Sequence, residues 1–176
     1  MPKGKFTKEE EKLIEEYSRK PTKGVQWLFY VNAFIVAAIP IWLAWRILQM
    51  DLVTYSVLFV LMTLVSTYVI AFSYGKVKEN LWHKISRARR PVITREMDVT
   101  DKKLPKPQKD EKIDWKTNEV SDREATAFSI FYNNALYMLV FLAFAFYILH
   151  SFHVAFNYTV STAMASFVLA LLSTGP

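Results

Sequence analysis

Six lysines crowd one stretch of the chain: Lys102, Lys103, Lys106, Lys109, Lys112 and Lys116, with Trp115 among them. Side chains of this type at this density suit a polyanion. An anionic membrane attracts each basic residue near its surface by about 1 kcal/mol. Nucleic-acid phosphate releases condensed counterions on binding, so that affinity falls steeply with salt. A solvated linker has the same composition, and composition alone does not separate the three. Other reactive types are sparse. His150 and His153 stand three apart, a spacing that can hold a metal on a helix, but they fall in a turn with no carboxylate beside them and are read as interfacial. His83 has no partner. The chain has no cysteine, which excludes disulfides, thiolate metal sites and a thiol nucleophile. Its four glycines form no phosphate-binding loop, and no paired carboxylates or triad can be assembled. The expectation is a protein without catalytic residues, metal or cofactor.

The remaining polar residues are informative through where they sit. Apolar residues gather in two blocks, Val25 to Tyr74 and Ala127 to Leu172, and nearly all charge lies outside them. A soluble protein interleaves the two kinds at helical or strand spacing, whereas a membrane protein separates them along the chain. Each block divides into two spans of about 20 residues, the length needed for a ~30 Å hydrocarbon layer. The spacing predicts spans over 25–48 and 52–74, then 127–149 and 154–172. The links 49–51 and 150–153 are short enough to force antiparallel hairpins. The fold class expected is therefore all-α, a polytopic membrane protein of two helical hairpins with a small helical insert between the second and third spans.

Within this frame Pro40 should kink the first span, with Trp42, Trp45 and Arg46 anchoring its end at the interface. Arg46 and Asp51 lie at one membrane edge, where they pair or snorkel. Thr63, Thr67 and Ala71 form a small-residue face, and Ser161, Thr162, Ala165, Ser166 and Ala170 mark a shielded fourth span. Asn32, Asn133 and Asn134 are read as interhelical hydrogen-bonding groups, each contributing about 1 kcal/mol or less in a bilayer. No ionisable residue sits near the middle of a span, which disfavours the alternative of a small four-helix transporter or channel. Asn157-Tyr158-Thr159 is a formal glycosylation sequon, expected to stay unmodified because it lies at the membrane surface.

Outside the spans, residues 1–24 form a hydrophilic arm with a capping box at Thr7 and Glu10 and a short amphipathic helix. The arm carries no secretory signal, so the first span is expected to direct insertion. Residues 75–126 form the insert. Val77, Leu81 and Ile85 carry the second span's helix beyond the membrane, and Arg87, Arg89, Arg90 and Pro91 close it. Pro105 and Pro107 predict an extended or turning segment, Lys109 to Asn118 a short helix, and Ser121 with Glu124 a capping box opening the third span. Of 22 Lys and Arg, seven lie in the arm, fourteen in the insert, and none in the two links. The positive-inside rule then places arm, insert and residues 173–176 in the cytosol.

Several long motifs resemble one family. They are Asn32-Ala33-Phe34-Ile35-Val36 running into Ile39-Pro40-Ile41-Trp42-Leu43 and Trp45-Arg46, then Met50-Asp51-Leu52 and Met62-Thr63-Leu64-Val65-Ser66-Thr67-Tyr68. Trp115-Lys116, Asn118-Glu119-Val120, Phe128-Ser129-Ile130-Phe131-Tyr132-Asn133-Asn134 and Ala170-Leu171-Leu172-Ser173-Thr174-Gly175 continue the match. Together they resemble the gamma subunit of the translocon-associated protein complex, also called the signal sequence receptor. The resemblance implies a four-span protein of the endoplasmic reticulum membrane. Its partners would be the alpha, beta and delta subunits, the Sec translocon channel, membrane lipid, and the ribosome through RNA and protein near the tunnel exit. Its work would be to assist translocation of nascent chains, and the resemblance makes Lys102, Lys103, Lys106 and Lys109 the first candidates for ribosome contact, with Lys112 and Lys116 beside them.

Overall fold

A computed structural model describes residues 23–100 and 106–175. It contains four α-helices: α1 Lys23–Arg46, α2 Ser56–Thr100, α3 Lys106–Leu142 and α4 Val154–Thr174. A π-helical segment, Ala143–Ile148, prolongs α3. No strand occurs among the described residues. All four helices contain a stretch long and apolar enough to cross a membrane, so the protein is an all-α polytopic membrane protein, in keeping with its apolar blocks. The Thr7–Glu10 capping box, Lys102, Lys103 and Pro105 lie outside the described residues.

The bundle's interior is built from small and hydroxyl-bearing residues. Along the α2–α4 contact, Ser66 Oγ lies 3.1 Å from Ser166 Oγ, and Ser173 Oγ donates to Ser73 Oγ at 3.2 Å. Both pairs step by seven residues on each helix, so α2 and α4 run parallel with a heptad seam. One heptad further back on α2, Phe59 meets Tyr158 edge-on with ring centroids 5.0 Å apart. Seven-residue periodicity keeps one stripe facing a partner, and small side chains let backbones approach where lipid supplies no hydrophobic drive. Pro40 lies buried within α1, where its missing N–H leaves the Val36 carbonyl without its helical donor. Trp27, Trp42 and Trp45 remain exposed on the outside.

The connections differ from the sequence expectation in three places. Helix α1 ends at Arg46, and α2 starts only at Ser56, with turns between. Met50 N–H returns to the Ala44 carbonyl at 3.1 Å, with Gln49 in the left-handed region at φ 53°. Asp51 then organises the approach to α2: its carboxylate accepts from Thr54 N–H at 2.9 Å and from the Thr54 hydroxyl. These hydrogen bonds hold the Asp51 carboxyl below its ordinary range.

The second difference is Pro91. The expected stop at Arg87–Pro91 does not occur, and α2 continues through the proline to Thr100. A mid-helix proline costs about 3 kcal/mol. Beyond it, Ile93 and Met97 bury against Ile113, with Val120 packed alongside. Each such apolar burial contributes roughly 1.5–3 kcal/mol, and ion pairs on both sides of the proline add to it, so tertiary contact outweighs the local signal. The third difference is α3, a single helix from Lys106 where a short helix and a second start were expected. Pro107 occupies its first turn, where a proline loses nothing because that N–H has no helical acceptor. Ser121 caps no helix: it is buried mid-helix with its hydroxyl unpartnered among the described residues, and the Glu124 carboxylate is taken by Arg89.

Near the far end, α3 widens into the π-helix, closed by Leu149 N–H on the Phe144 carbonyl at 2.8 Å. Asn157 clasps the widened turn. Its amide nitrogen donates to the Ala145 and Leu149 carbonyls, both at 2.9 Å, and its Oδ1 accepts from Ser161 Oγ. The residue is 1% exposed, so the nitrogen that a glycan would occupy is sequestered inside the α3–α4 hairpin. His153 serves as the N-cap of α4 by accepting from Ala155 N–H, which accounts for one of the two histidines without a metal.

Candidate functional site: the projecting hairpin

At 1.5 Å per residue, the 45 residues of α2 extend about 68 Å, more than twice a ~30 Å hydrocarbon layer. The half of α2 after Tyr74 and the half of α3 before Ala127 form an antiparallel hairpin outside the apolar bundle. Charge holds it together. Arg89 grips Glu124 with two hydrogen bonds, Nε at 3.0 Å and Nη2 at 2.7 Å, which raises the guanidinium's already high pKa. Arg90 meets Asp114 at 2.8 Å, Lys116 meets Glu96 at 3.4 Å, and Lys109 meets Asp98. At the base, Lys78 is 8% exposed and reaches Asp122 at 2.6 Å. Exposed pairs contribute only ~0.2–1 kcal/mol each, so the first four set register more than stability. The Lys78 pair is different, because losing its carboxylate would strand an ammonium in a poorly hydrated site.

This network redistributes the sequence's lysine cluster. Lys109 and Lys116 cross the hairpin to α2, and Lys112 is exposed on α3. Lys106 lies in the first turn of α3. Trp115 is 64% exposed among them. On α2 the balance runs the other way. Residues 80–95 contain no Asp or Glu, yet carry His83, Lys84, Arg87, Arg89, Arg90 and Arg95. Arg89 and Arg90 are paired to α3. Lys84, Arg87 and Arg95 are exposed, with no ion pair among the described residues. An open groove of about 640 Å³ runs along this face past Trp82, His83, Arg87, Arg90, Pro91 and Arg95. The sequence carried a signal for it, an acid-free run of sixteen residues from Asn80 to Arg95, but the lysines are the denser cationic cluster and draw the eye first.

The polar residues of the bundle also sort themselves. Tyr74, Asn32 and Asn134 join α2, α1 and α3 where the hairpin meets the bundle: Asn134 Nδ2 donates to Asn32 Oδ1 at 2.9 Å, and the Tyr74 hydroxyl lies 2.9 Å from Asn32 Oδ1 and within reach of Asn134 Oδ1. With one proton, the phenol serves one acceptor at a time. Asn133 instead donates to the Ser129 carbonyl of its own helix, and its Oδ1 is buried without a partner among the described residues. Arg46 is exposed at the end of α1, with no ion pair to Asp51.

A family model described as "Translocon-associated protein, gamma subunit (TRAP-gamma)" matches residues 9–175, which takes in the bundle and the hairpin together. The chain belongs to this family. It is also 28% identical over 149 residues to translocon-associated protein subunit gamma of Dictyostelium discoideum, covering 84% of this chain and 85% of the relative. As a member of the gamma family, the chain is a translocon-associated membrane subunit and part of a multi-subunit assembly. The matched residues, 9–175, take in all of α2 and α3, so the long helices and their hairpin lie within the bounds of the match.

Proposed function

We propose that this protein is a non-catalytic, multi-pass subunit of the translocon-associated complex in the endoplasmic reticulum membrane, and that its hairpin is an electrostatic arm reaching the ribosome. The observation that carries the reading is the placement of charge: a bundle without mid-membrane ionisable groups continues, through the unbroken helices α2 and α3, into a basic hairpin. The imbalance of Lys and Arg about the spans supports a cytosolic position for that hairpin, the N-terminal arm and the C-terminus. The bundle anchors the subunit beside the alpha, beta and delta subunits and the Sec channel, and the arm contributes affinity for ribosomal RNA and protein near the tunnel exit. In this way the complex is held where a nascent chain enters the channel, in support of co-translational translocation.

Within the arm, Lys102, Lys103, Lys106 and Lys112 are candidates for touching the ribosome. Lys109 and Lys116, which pair with Asp98 and Glu96, are candidates beside them. The test is sedimentation of the purified full chain in nanodiscs with ribosomes. Co-sedimentation that fades as salt is raised supports the reading, whereas a chain that stays in the supernatant at low salt contradicts it.

A further inference from the structure

Most buried hydroxyls of the bundle have a partner. Thr67, Thr159 and Thr162 each donate to the carbonyl four residues earlier at 2.7 Å. Ser161 reaches Asn157, and Ser73 accepts from Ser173. One level is different. Thr63 Oγ1 on α2, Tyr137 Oη on α3 and Tyr158 Oη on α4 belong to residues 5%, 0% and 0% exposed, and none has a hydrogen-bond partner among the described residues. They form one cluster. The Tyr158 hydroxyl neighbours Thr63, Thr162 and the Tyr137 phenol, and the Tyr137 hydroxyl neighbours Ser66. Ser66 Oγ in turn lies 3.1 Å from Ser166 Oγ. Among the described residues the remaining buried oxygens without a partner, on Thr117, Ser121 and Asn133, are strung along α3 at least a turn apart.

We infer that this cluster is a binding site for ordered water at mid-membrane depth, shared by α2, α3 and α4. The inference concerns the bundle alone and stands apart from the ribosome-facing reading of the hairpin. Depth is what makes the hydroxyls costly as they are. Ser66 lies about 15 Å along α2 from its start at Ser56 and about 12 Å from Tyr74, so neither interface is within a side chain's reach. Hydrocarbon offers a hydroxyl nothing, and one buried without a partner keeps its whole desolvation penalty. A buried water typically makes about three hydrogen bonds to groups that would otherwise have none, which is the number of orphaned hydroxyls gathered here. The surrounding groups can serve it as well. One of Ser66 and Ser166 donates to the other, so the second proton of the pair is free. Thr162 commits its proton to the Tyr158 carbonyl and keeps its lone pairs. Phe59 meets the Tyr158 ring edge-on and the hydroxyl lies beside Thr63, one turn further along α2, so the phenol is aimed into the cluster. An apolar cavity stays dry, whereas a polar one with two to four partners retains water.

The test is radiolytic hydroxyl-radical labelling of the full chain in nanodiscs, carried out in isotope-labelled water. A radical made from a bound water oxidises the ring beside it even where bulk water is excluded. Phe141, one turn beyond Tyr137 on α3 and equally buried in the apolar core, is the internal control. Tyr137 and Tyr158 are expected to take up the label about 10-fold faster than Phe141, a difference that burial alone does not give. The double variant Thr63→Val, Tyr158→Phe removes two of the water's partners, and labelling at Tyr137 is expected to fall several-fold. If Tyr137 and Tyr158 label as slowly as Phe141 in the wild-type chain, the hydroxyls serve one another directly and the inference is overturned. Fast labelling that the double variant leaves unchanged would trace the water to transient opening of the bundle, and would overturn it equally. A variant that has come apart labels faster at every ring, Phe141 included, and the wild-type comparison then decides by itself.

Discussion

The two halves of the α2–α3 pair solve the same packing problem with opposite materials. Inside the bundle, α2 meets its neighbours through Ser66, Ser73, Ile70 and Ala71, all buried, with serine pairs to α4 at 3.1 and 3.2 Å. In the hairpin, the same helix meets α3 through five cross-helix ion pairs and a small apolar cluster of Ile93, Met97 and Ile113. Yet one ridge on α3 and its π-helical extension runs through both: Ile113, Thr117, Ser121, Ala125, Ser129, Asn133, Tyr137, Phe141 and Ala145, every fourth residue buried. In lipid, association comes from close packing and hydroxyl hydrogen bonds, because apolar side chains gain little by leaving apolar solvent. In water, apolar burial drives association and charge pairs fix the register. The change of material along a continuous helix therefore marks where the solvent changes.

That contrast can be broken at its water side first. Ile93→Asp places a carboxylate in the hairpin's only apolar cluster among the described residues and should cost about 3 kcal/mol or more there. Hydrogen exchange is expected to lose protection over 85–120 while the bundle keeps its own. Simultaneous loss in the bundle would show that the halves are one cooperative unit. At the junction, Asp122→Ala strands Lys78 and should lower stability in detergent by about 2 kcal/mol, with recovery on adding Lys78→Met, since replacing both partners of a pair with one buried member removes the uncompensated charge. Thermal unfolding of the two variants measures this. On the membrane side, Asn134→Leu cuts the link among Asn32, Tyr74 and α3 and should cost only about 1 kcal/mol. A much larger loss would mean that the bundle depends on polar interactions more than on packing.

The smallest effect concerns the turn before α2. Asp51's folded pKa is depressed by its hydrogen bonds from Thr54, so its contribution is complete above the ordinary carboxylate value and disappears as pH falls through the lowered one. The Thr54 amide resonance should titrate below 3.8. A midpoint above that value would remove the cap.

The spans could be recognised in the sequence because a long uncharged run carries its own meaning, and the four helices fall close to where those runs lie. What could not be recognised depends on partners distant in sequence. Pro91 is a strong local stop, and only Ile113 and Val120, 22 and 29 residues on, reveal why α2 ignores it. Ser121 and Glu124 have the spacing of a capping box, but Glu124 belongs to Arg89, 35 positions earlier. Asn157 looks like a surface sequon until the π-helix brings two carbonyls to its amide. The candidate surface was hidden for the same reason: which cations stay open to an outside anion is decided by subtraction, after α3's carboxylates have taken Arg89 and Arg90 and α2's have taken Lys109 and Lys116.

The hairpin's position relative to the ribosome is the central claim, and a photo-crosslinking amino acid at Arg87 tests it most directly, in the full chain within ribosome-bound microsomes. The account predicts adducts with ribosomal RNA or protein that vanish when salt strips the ribosomes away. Adducts confined to lumenal proteins or to lipid, unchanged by ribosome removal, would contradict it.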